Sequence, residues 1–326
     1  MLKDSFGRVH DYLRISLTDV CNFRCTYCMP EEDISFMPHS HLMQANEIET
    51  IAKEFVSRGV TKIRLTGGEP LVRKDAAQII QSLSKLPVEL TLTTNGSRVH
   101  EFIDLFKTVG INSVNVSLDT LNKEKFQSIT QRKTFDRVKE NIELLIDQGF
   151  HVKVNAVIMR GMNEDEIPQF IEWTKFQPLH MRFIEFMPFQ GNRWEDTKVY
   201  TYQEILNTVA SNFDFIKLND AKHETAKKFK VIGHQGTFAI ISTMSAPFCH
   251  DCNRLRLTAD GKMKNCLFSK GETNILEALR QGKNLTPFIE QCLSEKKESL
   301  GGQFTVDFES LDATQLDNRS MINIGG

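Results

Sequence analysis

Between Tyr12 and Met187 the chain alternates between two hydrophobic periods. Short runs rich in β-branched residues, mostly ending in polar residues or Gly, are expected as strands at Tyr12–Thr18, Val60–Thr66, Val88–Thr94, Ser113–Leu118, His151–Met159 and Met181–Met187. The amphipathic stretches between them predict helices at Asn46–Arg58, Asp75–Ser84, Val99–Lys107, Thr134–Gln148 and Glu164–Lys175. Asp75 stands where it can cap its helix. Strand–helix alternation predicts parallel β-α-β units. Six such strands suit a partial (β/α)6 barrel of the TIM type better than a flat sheet. In barrels, functional groups gather at the C-terminal ends of strands. Here those ends read SLTD, RLTGGEP, TLTTNG, NVSLD, KVNAV and FIEFMP.

After Pro188 the pattern changes, which divides the chain into a barrel region at 1–188 and a C-terminal region at 189–326. A loop over Gln190–Tyr200 precedes a helix expected at Gln203–Ser211. Lys230–Ser242 and Arg254–Phe268 are expected as β structure, the second with a hairpin turn at Ala259-Asp260-Gly261. Asn274–Gln281 and Thr286–Lys297 are expected as helices, and the end, from Leu311, as polar extended chain.

Forty basic against 42 acidic residues give a formal net charge of −2. That balance argues against a general nucleic-acid or membrane surface and leaves room for a local basic pocket. No apolar run reaches membrane-spanning length, and the N-terminus lacks the apolar segment of a secretory signal. A cytoplasmic, reducing location is therefore expected, in which the seven cysteines favour metal over disulfides.

Three of them, Cys21, Cys25 and Cys28, form Cys-x3-Cys-x2-Cys in DVCNFRCTYCMP. Thiolates hold a [4Fe–4S] cluster, and three leave one iron open to a small molecule. A structural zinc wants four ligands; His39 or His41 folding back is the alternative here. Cys249, Cys252 and Cys266 form a second set, with the hairpin turn between the last two. Three thiolates again favour a cluster with an open iron, the alternative being zinc completed by His250 or a distant ligand. Cys292, in an expected helix, is read as a buried or free thiol.

With RLTGGEPL, LTTNG, NVSLD, RFIEFMP and a terminal Gly-Gly, the two triads make the chain resemble, nearly end to end, the GTP 3′,8-cyclase family of molybdenum cofactor biosynthesis, within the radical S-adenosylmethionine (SAM) superfamily. The resemblance implies two [4Fe–4S] clusters, one on Cys21, Cys25 and Cys28 that chelates SAM, the other on Cys249, Cys252 and Cys266 at the substrate. It implies SAM contacts from Tyr27, Gly68, Glu69, Ser117 and Met187. It implies GTP contacts from Arg14, Arg64, Thr93, Lys153, Arg254, Leu255 and Arg256. Catalytic roles would fall to Arg14, Arg182, Arg254, Arg256, Gly325 and Gly326. The reaction so implied removes a ribose hydrogen from GTP and joins C3′ to C8 of guanine. An electron donor and, downstream, cyclic pyranopterin monophosphate synthase are the implied partners, with a homodimer left open.

The residue types agree with that implication. Arg14, Arg64 and Lys153 lie within expected strands, where a buried charge needs a counter-charge, and a triphosphate supplies one. No P-loop is present. Two departures stand out: Val20 where relatives often carry Arg, and Gln131 where Gly is commoner. The rival readings are a peptide-modifying radical SAM enzyme with an auxiliary cluster and a non-catalytic zinc-held binding protein.

Overall fold

The computed structural model describes residues 1–30, 35–305 and 307–325. Six parallel strands, β1 (Tyr12–Ser16), β2 (Lys62–Thr66), β3 (Glu89–Thr94), β4 (Ser113–Ser117), β5 (His151–Ile158) and β6 (His180–Glu185), lie side by side in chain order. Helices α1 (Ala45–Ser57), α2 (Ala76–Leu83), α3 (Ile103–Thr108), α4 (Lys123–Thr130), α5 (Phe135–Asp147) and α6 (Ile167–Trp173) connect them. Each buries one apolar stripe; in α1 it is Ile48, Ile51, Ala52 and Phe55. This is the partial barrel expected from the alternation.

β6 ends just before Pro188, yet the sheet does not stop there. After α7 (Tyr202–Ala210) come β7 (Phe215–Lys217), β8 (Lys227–Val231), β9 (Thr237–Ile241), β10 (Arg254–Leu257), β11 (Lys262–Lys264) and β12 (Thr273–Asn274). β9 joins β6 and β10 joins β1, both parallel, so the C-terminal strands extend the barrel sheet from both edges. Helices α8 (Ile275–Arg280), α9 (Thr286–Ser294) and α10 (Met321–Ile324) complete the chain. Among the described residues no helix is long and apolar enough to cross a membrane.

Lys230–Ser242 is β structure as expected, the end of β8 and the whole of β9, paired antiparallel across a turn. Other expectations change. The tail from Leu311 is not extended throughout: it makes a 3-10 turn at Ala313–Gln315 and then forms α10, whose Ile322 and Ile324 are buried. Asp75 makes no side-chain cap to α2. Its carboxylate instead takes a bidentate pair from Arg73, at 2.7 and 3.1 Å, and two bonds from a full cation outcompete a single bond from a backbone amide.

Gln131 ends α4 at φ 55°, in the left-handed region. A side chain there is disfavoured by roughly 1–2 kcal/mol, which glycine avoids. Gln131→Gly is therefore expected to stabilise the chain by about 0.5–1 kcal/mol, once glycine's greater freedom in the unfolded chain is subtracted. A urea midpoint that does not rise would contradict this.

Candidate functional site

The barrel strands are built inside out. On β1, Leu13 and Ile15 are fully buried among the apolar core, while Tyr12 and Arg14 line an interior cavity. Period-two alternation repeats the pattern, with Lys62, Arg64 and Thr66 facing the cavity from β2, Asn115 and Ser117 from β4, Lys153 and Asn155 from β5, and Arg182 from β6. β10 adds Arg254 and Arg256, and its Leu255 lies in the core. The cavity has a volume of about 500 Å³.

Strand register gathers the charges. Arg14 stands opposite Arg256 on one side and Arg64 on the other, giving three arginines on one rung of the sheet. The rung beneath pairs Tyr12 with Arg254 and Lys62. Arg64 and Arg254 each lie 5.6 Å from the centre of the Tyr12 ring. Burial alone would raise the Tyr12 phenol, but Arg64, Arg14, Arg254 and Lys62 outweigh it and pull it down to about 8. Burial, then the other cations, push Arg182 down to about 9 and Lys153 down to about 7. The cavity thus concentrates positive charge in a chain whose net charge is slightly negative. Arg182 Nε, Arg254 Nε and Thr93 Oγ1 are buried and have no hydrogen-bond partner among the described residues. Such atoms are costly unless a ligand satisfies them.

All six triad cysteines line the same cavity. Cys21, Cys25 and Cys28 follow the C-terminal end of β1, whereas Cys249 and Cys252 precede β10, which runs parallel to β1. The triads therefore flank opposite ends of the strands, separated by roughly 13 Å of β1 at its usual rise. The thiols are free and half-buried. Burial, with help from Glu69, raises Cys21 to about 11, and burial with Cys21 raises Cys28 to about 12. These groups deprotonate when a metal takes the proton's place.

Donors already point at the sulfurs. The Phe23 amide donates to Cys21 Sγ at 3.4 Å, and the Leu300 amide to Cys249 Sγ at 3.4 Å. Hydrogen bonds of this kind surround cluster thiolates. Among the described residues no three His, Cys, Asp or Glu donors are drawn together as one metal ion requires. Three free thiols in each set, with an amide aimed at one sulfur of each, are the donor type that fits an iron–sulfur cluster.

Comparison with known proteins places this geometry. Residues 15–174 match the family described as Radical SAM superfamily, and residues 179–301 match Molybdenum Cofactor Synthesis C. The chain is 46% identical to the mitochondrial GTP 3′,8-cyclase of Arabidopsis thaliana, over 100% of this chain and 84% of that one. It is 38% identical to the GTP 3′,8-cyclase of Listeria welshimeri, over 92% of each. The chain belongs to the GTP 3′,8-cyclase family. It spans about half (51%) of a longer mouse relative, molybdenum cofactor biosynthesis protein 1, at 46% identity. The crystal structure of Streptococcus suis SuiB bound to S-adenosylmethionine shares the fold, with a TM-score of 0.61 at 14% identity over 89% of this chain and 69% of that one.

Against this family background, each expected residue but Gly326 has a definite place. Tyr27, Gly68, Ser117 and Met187 line the cavity near the first triad, and Arg14, Arg64, Thr93, Lys153, Arg182, Arg254 and Arg256 line its cationic part. Two stand elsewhere. The Glu69 carboxylate is buried and accepts from the Leu71 and Asn95 amides and the Thr94 hydroxyl, at 3.1, 2.6 and 2.8 Å. It fixes the loop after β3. Leu255 is fully buried in the apolar core and does not line the cavity. Tyr12, Lys62, Asn115 and Asn155 also line the cavity. Their signal was the strand alternation itself, since they share a face with the arginines.

The C-terminal tail enters the site. Arg256 Nη1 donates to the Gly325 carbonyl at 2.6 Å. Gly325 has φ 86°, and a Cβ there would meet Thr66 Oγ1 at 2.6 Å and Ser16 Cβ at 2.8 Å. Only glycine passes. Gly326 lies outside the described residues.

Lys153 gives the site a pH dependence. With a free-state value of about 7, set by burial and then by Arg182, Arg64 and Lys62, it is largely neutral at higher pH. A triphosphate held beside Lys153 would favour the charged form, so that its binding would take up a proton. Affinity should therefore fall by roughly tenfold per unit as pH rises above about 7. Calorimetry in buffers of different ionisation heat measures the uptake. A slope that persists in Lys153→Met would assign it to another group.

Proposed function

We propose that this chain is a GTP 3′,8-cyclase, converting GTP to 3′,8-cyclo-7,8-dihydroguanosine triphosphate at the start of molybdenum cofactor synthesis. The observation that carries the reading is one cavity with a thiol triad at each end and a rung of arginines between them. In this reading residues 1–188 hold SAM and 189–326 the substrate-side cluster and tail. Cys21, Cys25 and Cys28 hold the SAM cluster, and Cys249, Cys252 and Cys266 the second. A cluster on Cys21, Cys25 and Cys28 would supply the single electron that SAM cleavage calls for, beside the cavity wall where Tyr27, Gly68, Ser117 and Met187 would hold SAM.

The chain's own residues do the rest by placement. Arg14, Arg64 and Lys153 hold the phosphates, with Arg182 beside them. The fork of each guanidinium fixes the anion in direction as well as position, which sets the ribose at the distance a hydrogen transfer needs. The tail carbonyl fixes the rotamer of Arg256 from one side. Tyr27 donates to Asp119 at 2.8 Å, and Asp119 also accepts from the Val157 amide at 2.9 Å. That pair ties the first cysteine loop to β5.

The test is anaerobic incubation with SAM, a reductant and GTP. The expected product has the mass of GTP, because ring closure and reduction balance, and is separated from it by chromatography together with deoxyadenosine. About eight iron and eight sulfide per chain are expected, two four-iron cubes. Deoxyadenosine without a GTP-derived product would overturn the substrate.

A further inference from the structure

The tail is held at a second point, outside the cavity. Arg319 lies shortly before α10, and its guanidinium spans two carboxylates. Nη1 and Nη2 donate to Asp260 at 2.8 and 2.9 Å, and Nη2 also donates to Glu272 at 2.7 Å. Arg319 Nε lies 2.6 Å from the other Glu272 oxygen. The fork is therefore used twice, a geometry open to arginine and closed to lysine.

The three side chains are only 15–19% exposed. Isolated surface pairs contribute little, but this is a part-buried network. Thr258 donates to Asp260 at 2.6 Å, and Lys264 stands 3.6 Å from Glu272.

Both carboxylates sit on the element that carries the site. Asp260 is in the turn between β10 and β11, and Glu272 immediately precedes β12. Arg256 is on β10, and Cys266 follows β11. The tail is thus pinned to one hairpin twice, by Arg319 outside and by Arg256 inside. Between the pins Ile322 and Ile324 are buried, the latter with Phe189, Phe268 and Leu300. Fixing Arg319 fixes how far the following residues reach, and so where the Gly325 carbonyl meets Arg256.

We propose that Arg319 is a positioning residue, a two-carboxylate clamp that sets the reach of the tail into the active site. This rests on the reading that the tail takes part in cyclisation. The experiment compares the wild type, Arg319→Ala, Arg319→Lys and a chain lacking Gly325 and Gly326, each with its clusters loaded. The readout is cyclised product per deoxyadenosine at saturating GTP, with iron content, GTP affinity and melting temperature measured alongside.

For Arg319→Ala the ratio is expected to fall about tenfold at unchanged deoxyadenosine rate, iron and GTP affinity. Arg319→Lys should recover part of it, because an ammonium cannot fork to both carboxylates. A wild-type ratio in Arg319→Ala, with the truncated chain impaired, overturns the clamp alone. A wild-type ratio in the truncated chain overturns the role of the tail. A fall that tracks lost iron or a lowered melting temperature means Arg319 is structural and also overturns the clamp. Should Arg319→Ala fail to fold, Glu272→Gln, which weakens one fork, decides by the same ratio.

Discussion

Cys25→Ala is expected to lower the rate of deoxyadenosine formation by roughly a thousandfold or more, about 4 kcal/mol of barrier. Cys25 is the middle thiol of its triad, and burial, then Asp119, then Cys28 hold it well above the usual thiol range. A residue so placed stays protonated until iron displaces the proton. In the proposed assignment its loss removes a cluster ligand. The fold should survive, because Cys25 only packs against the rim of a large apolar core. Cys249, Cys252 and Cys266 sit at the other end of β1 and should keep their iron. Anaerobic SAM cleavage with dithionite, with iron counted per chain, measures both halves. Wild-type cleavage by Cys25→Ala would remove the assignment of this triad.

The second expected result is the converse. Replacing Cys249 and Cys252 together by Ser should abolish cyclisation, by roughly a thousandfold, and leave SAM cleavage within about threefold of wild type. These cysteines precede β10, whose next residues include Arg254 and Arg256, so their loop sets the start of the strand that faces the substrate cavity. Arg8 braces the same loop, donating to the Cys249 carbonyl at 2.7 Å. Deoxyadenosine should then accumulate without product. Normal cyclisation by the double variant would make the second triad dispensable.

The sequence carries the barrel because each of its strands has a local signature. Val152, Val154 and Ala156 alternate with Lys153 and Asn155, and the two faces can be separated on paper. It carries the arginines of the site for the same reason, since Arg14 and Arg64 interrupt apolar runs at positions of one parity. What it hides is non-local. Nothing in RLRLT says that this strand pairs with YLRIS, and only that pairing makes Arg14, Arg64 and Arg256 neighbours. α4 was missed because its apolar stripe is thin: Phe126, Ile129 and Thr130 are buried, and its start depends on the Asn122 side chain accepting from the Lys125 amide at 2.8 Å. Arg319 was missed because a lone arginine in a polar tail looks solvated until Asp260 and Glu272 are seen around it.

The pairing of β1 with β10 has a consequence for how the chain is made. Asn253, beside β10, donates to Asp11, beside β1, across 242 residues of sequence. At ordinary translation rates the first strand waits roughly 10–50 s for the partner that covers its edge. During that interval β1 presents an open row of amides and carbonyls, the template on which nascent chains associate wrongly. Contacts this distant in sequence also slow folding after release. The ribosome therefore delivers the first three thiols long before the sheet that shelters them is complete. Newly made chains should depend on holding factors, and on iron delivered after synthesis, more than a helical protein of equal length would.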